Sequence, residues 1–127
     1  MSREVISTDG APAAVGPYSQ AVVVGGWLYL SGQIALQPGA GGLVGDSAAA
    51  QAEVVLRNLS AVLVAAGAGL GDVVKVTVYL ADMGDFAAVN AVYGKFFESD
   101  PPARACIQAS ALPKGALVEM DAVAYLG

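Results

Sequence analysis

The sequence predicts an α+β (mixed α/β) fold: one mixed β-sheet with two helices on one face. Three observations carry this. Two stretches place apolar residues at helical spacing, each stopped by Gly or Pro. Gly25-Gly26 separates two short β-branched and aromatic runs, a hairpin signal. Residues 73–81 alternate between the two faces of a strand. The predicted order is β-β-β-α-β-α-β-β.

Val5-Ile6 starts the first strand. Residues 21–24 and 27–31 form the hairpin around Gly25-Gly26. Pro38-Gly39-Ala40-Gly41-Gly42 reads as a loop, and without a Lys-Ser/Thr ending it does not match a phosphate-binding loop. From Ser47 to Ala66, Ala52, Leu56, Leu59, Leu63 and Ala66 form one helical stripe. Asp46 is the expected N-cap, with Gly67 and Gly69 as the stop. In the next strand Val74, Val76, Val78 and Leu80 oppose Lys75, Thr77 and Tyr79. The second helix runs from Asp85 to Glu98 on Phe86, Val89, Tyr93, Phe96 and Phe97; Pro101-Pro102 bars its continuation. Two strands follow, 103–110 and 117–126. By alternation Arg104, Cys106, Gln108 and Ser110 share one face, away from Ala105, Ile107 and Ala109. Parity assigns Arg104, Glu119, Tyr79 and Thr77 to the face without helices.

The 127 residues suit one domain, 1–127. The chain is 56% hydrophobic and 13% charged, with a mean hydropathy of +0.61. That is apolar for a soluble monomer and points to surface hidden in an oligomer. The most apolar stretch, 59–70, is shorter than a membrane span, and Glu4 and Asp9 sit where a signal peptide would begin. The expectation is a cytoplasmic oligomer. Net charge is −5 and the six Lys and Arg are scattered, which argues against tracking a phosphate backbone. One cysteine and no histidine exclude internal disulfides, the usual zinc sites, and Ser-His-Asp or Cys-His chemistry. Carboxylate, tyrosine, arginine, backbone and water remain.

Arg104 stands out because it opens a run, 103–109, that otherwise reads as a buried strand. A buried guanidinium requires an anion, either another side chain or a ligand. Glu119 is the carboxylate assigned to the same face. In a simple hairpin around Leu112-Pro113-Lys114 the two lie about four positions, about 13 Å, apart. They then meet only between subunits, or if the strands are not neighbours. Gly16-Pro17-Tyr18 is a rigid turn able to aim a phenol, and Ser31-Gly32 ends a strand where backbone can approach a ligand. Asn90 sits mid-helix, off the stripe, and Cys106 reads as a small core residue.

Gly16-Pro17-Tyr18-Ser19-Gln20-Ala21, Ser31-Gly32-Gln33, Gln51 with Asn58-Leu59, Asp85-Phe86 with Val89-Asn90, Tyr93 with Phe96-Phe97, Pro102-Ala103-Arg104, Leu112-Pro113 and Val118-Glu119 occur in order along nearly the whole chain. This set resembles the RidA/YjgF family of enamine/imine deaminases. The resemblance implies a chorismate-mutase-like fold, a homotrimer with clefts between subunits, and no metal or cofactor. It implies hydrolysis of 2-aminoacrylate and related 2-imino acids to 2-keto acids and ammonia. Arg104 would clamp the substrate carboxylate, and Glu119 would position water and exchange protons. Ser31 and Ala105, with backbone at Gly32 and Cys106, would line the site. Tyr18 would close the cleft from the adjacent subunit, and Asn90 would support it. Ala105 departs from the Ser or Thr of many members, and alternation points its side chain away from Arg104. The alternative is a trimeric module that binds a keto acid without turnover. Neither reading involves nucleic acid or membrane.

Overall fold

Glycine makes the first turn. Gly25 and Gly26 have φ of +59° and +82°, the pair of positive values a two-residue hairpin turn needs, and join β2 (Ala21–Val24) to β3 (Trp27–Gln33). The computed structural model describes residues 2–39 and 41–127, so Ala40, within the Gly-rich loop, lies outside the described residues. β1 (Glu4–Ile6) pairs antiparallel with β2.

α1 (Ala48–Ala65) is capped by Ser47, not by Asp46: the Ser47 Oγ accepts the Ala50 N–H at 3.1 Å. Its end is a Schellman turn, in which Ala68 N–H reaches Leu63 O and Gly67, at φ +80°, reaches Val64 O. By length and composition α1 could cross a membrane, but half of it is buried inside the fold. Ala52, Val55, Leu56, Leu59, Val62 and Leu63 pack into the core against the sheet and α2 (Phe86–Phe96).

The strand order is β1-β2-β3-β6-β4-β5, where β4 is Val73–Leu80, β5 is Ala103–Gln108 and β6 is Val118–Tyr125. β4-α2-β5 is a parallel crossover unit, and the other pairings are antiparallel. Both helices cover one face. The other exposes Trp27, Tyr29, Ile107 and Tyr125, beside Thr77, Tyr79, Glu119 and Asp121.

Three expectations are corrected. A register shift between Val73 and Lys75 turns Val73 inward and exposes Val74. Strands β5 and β6 are not a hairpin, because β4 lies between them. The run from Ala103 is not buried: β5 is the edge strand, and its small alanines supply apolar character without packing.

Candidate active site

The site residues fall into two groups. The first lines a cleft of about 420 Å³. One wall is the segment before β2, pinned by Gln20, which is buried. Its Nε2 donates to the carbonyls of Thr8 (3.1 Å) and Pro12 (2.7 Å), and its Oε1 accepts the Thr8 N–H at 2.7 Å. This holds Pro12, Val15 and half-exposed Tyr18 along the cleft. Tyr18 is set by a tight turn, its N–H donating to Gly16 O at 2.8 Å. Ser31 Oγ donates to Ser19 O at 2.6 Å, tying this segment to β3.

The floor is a β-bulge. Between the pairs Leu30–Ala122 and Gln33–Met120, β3 holds one residue more than β6. The extra length presents Gly32 beneath Glu119. A Cβ on Gly32 would stand 2.2 Å from Glu119 Oε2, so the carboxylate occupies the space a side chain would fill. Burial raises the Glu119 pKa above the ordinary carboxylate value, and the nearby Asp121 charge adds to it. Asp121 itself accepts the Tyr79 hydroxyl at 2.9 Å.

The second group surrounds Arg104. Arg104 pairs in register with Val76, which faces the helices, so its side chain lies under α2. Its Nη1 donates to Asn90 Oδ1 at 2.6 Å, and the guanidinium carbon stands 4.8 Å from the Tyr93 ring centroid and 5.5 Å from that of Phe86. Among the described residues Arg104 makes no ion pair; the salt bridge found there joins Arg57 to Glu53 on α1. Within this chain the guanidinium therefore keeps donors free for an anion. A recess of about 390 Å³ adjoins it, lined by Tyr93, Phe97 and Pro101-Pro102.

Arg104 and Glu119 do not share a face, contrary to the parity assignment. Glu119 pairs with Tyr79 on the open side, while Arg104 pairs with Val76 on the helix side. Parity was counted along each strand separately, whereas the phase between strands is fixed by their register, which alternation within one strand does not reveal. Ala105 pairs with Thr77 and points away from Arg104, as alternation required. Cys106 lies half-buried on the helix side; burial raises its pKa, and the Arg104 charge offsets this only in part. Among the described residues no group of three or more His, Cys, Asp or Glu could hold a metal ion. Sequence reasoning missed the Arg104 contacts of Phe86 and Tyr93, and the pinning role of Gln20. The spacing 86, 90, 93 carried the first signal, since residues four and three apart share a helix face. Asn90 therefore belongs to a stripe after all, one that faces Arg104.

Residues 8–126 match the family model described as endoribonuclease L-PSP. The chain belongs to the RidA/YjgF family. Its RidA/YjgF relatives include Protein DfrA of Myxococcus xanthus, 53% identical over 98% of this chain and 96% of that protein. The human 2-iminobutanoate/2-iminopropanoate deaminase is 50% identical over 98% and 91% of the two chains. Among solved structures, E. coli TdcF with bound serine superposes with a TM-score of 0.93 at 40% identity, covering 98% of this chain and 99% of that one.

Proposed function

We propose that the protein hydrolyses 2-enamine/2-imino acids such as 2-aminoacrylate to 2-keto acids and ammonia. We further propose that each working cleft joins the Glu119 group of one copy to the Arg104 group of the next in a homotrimer. The observation that carries this is Arg104, held by Asn90 and two rings yet paired with no carboxylate among the described residues. Its two-pronged donor set fits a substrate carboxylate. The deaminase names of relatives at 50% identity support the reaction.

The chemistry balances with water alone. Arg104 holds the carboxylate beside the C=N carbon. Glu119, above Gly32, accepts a proton from the attacking water as the C–O bond forms. The same carboxyl returns that proton to nitrogen, giving a carbinolamine; it then takes the proton of the new hydroxyl and passes it to nitrogen, so that the C–N bond breaks and ammonia leaves as the carbonyl forms. Burial raises the Glu119 pKa, the direction that favours a group which both takes and gives a proton. Because Arg104 and Glu119 lie on opposite faces of one sheet, a single copy offers two half-sites. The exposed aromatic face supplies apolar surface for association. The net charge of −5 disfavours RNA as substrate.

The test is ammonia and keto-acid release when the protein is added to a serine or threonine dehydratase reaction. Accelerated release supports the proposal. Pyruvate binding without acceleration identifies a binding module instead.

A further inference from the structure

Phe86, Asn90 and Tyr93 occur at i, i+4 and i+7 on α2, and all three touch one guanidinium. Asn90 Oδ1 engages a single nitrogen, Nη1. One hydrogen bond leaves the guanidinium plane free to swing about it. Two ring contacts, at 4.8 and 5.5 Å, remove that freedom. β5 is an exposed edge strand, so its own neighbours do little to fix a long side chain there.

We propose that the ring faces of Phe86 and Tyr93 are positioning elements for the carboxylate clamp: they fix the guanidinium plane so that its remaining donors form a preset fork. This deepens the deaminase reading and rests on it, since the fork serves the 2-imino acid carboxylate. Neither ring is a catalytic residue; each acts through Arg104. The two rings divide the work by depth. Tyr93 is buried and shared with the core, stacking on Phe97 with centroids 4.7 Å apart. Phe86 is partly exposed at the start of α2, a position the core does not require to be aromatic. A partly exposed aromatic over an unpaired arginine is explained by the arginine.

The experiment compares Phe86→Leu with Phe86→Tyr, and Tyr93→Leu with Tyr93→Phe, beside Arg104→Ala. Pyruvate affinity is read by calorimetry, with KM and kcat from the dehydratase-coupled assay and the thermal midpoint of each variant. Loss of one ring face should weaken pyruvate binding about two- to thirty-fold and raise KM by a similar factor, with kcat changed less. Phe86→Tyr and Tyr93→Phe keep a ring face and should stay within about twofold of wild type. The Phe86→Leu midpoint should stay close to wild type, which a merely structural role would not combine with weakened binding. Should Tyr93→Leu fail to fold, the Phe86 pair decides alone. Wild-type pyruvate affinity in Phe86→Leu, or equal weakening in Phe86→Leu and Phe86→Tyr, overturns the proposal. If Arg104→Ala also binds pyruvate normally, the clamp itself is wrong; if only Arg104→Ala loses binding, the clamp stands and the cage falls.

Discussion

Replacing Gly32 by Ala should disable the site without disturbing the fold. The backbone of Gly32 lies outside the left-handed region, so an alanine there carries no conformational strain. The collision is with one group. The new Cβ would lie 2.2 Å from Glu119 Oε2, against ordinary contact from 3.4 Å, a shortfall of about 1.2 Å; Cδ and Cγ lie at 3.1 and 3.4 Å. The carboxylate is the far end of a flexible side chain beside an open cleft, so it can move aside. Misplacing a reacting group by about 1 Å costs on the order of 10²-fold in rate. Gly32→Ala should therefore lose about 10²-fold in kcat in the dehydratase-coupled assay, with unchanged oligomer mass and circular dichroism. On a Glu119→Ala background the same change should be nearly silent, because the colliding atoms are gone. Activity within threefold of wild type in the single variant, or a further large loss in the double variant, would refute the reasoning.

Arg104→Lys keeps the charge but loses the planar fork, so turnover should collapse while the assembly persists; steady-state kinetics and solution mass check this together. Tyr93→Phe removes a hydroxyl that is buried without a hydrogen-bond partner, so thermal stability should be unchanged or higher, by up to about 1–3 kcal/mol in denaturant unfolding. Asp121→Asn removes the smaller of the two causes that raise the Glu119 pKa. The Glu119 pKa should fall toward its ordinary value, and the acid limb of the kcat/KM profile should move to lower pH. A limb that stays put or moves up would show that Glu119 does not set it. Because Glu119 titrates above its ordinary value when folded, it favours the fold while protonated. That contribution is full below the ordinary carboxylate pKa and fades as pH rises through the shifted one.

Much of the fold was legible because its signals are local. Gly25-Gly26, the leucine stripe of α1 and the alternation in β4 each act within a few residues. What stayed hidden depends on which strands are neighbours. β6 inserts between β3 and β4, and sequence adjacency suggested instead that it pairs with β5. The phase of β5 is set by its register on β4, which puts Arg104 beside inward-facing Val76, and alternation along a single strand does not carry that. The bulge at Ser31-Gly32 was invisible too, although Gly32 was recognised as a point of close approach. Arg104 and Glu119 were named from their chemistry, and their separation within one copy came only from the topology.

The claim that the site is shared between copies has a direct test by subunit mixing. Arg104→Ala and Glu119→Ala should each be inactive alone. Co-refolded in equal amounts, a cleft regains both groups when the subunit giving Arg104 is the Glu119 variant and its neighbour is the Arg104 variant. Random assembly makes about one quarter of clefts intact, so mixing should restore about one quarter of wild-type activity. No recovery in a mixture shown to contain both subunits in one particle would contradict a site assembled from two copies.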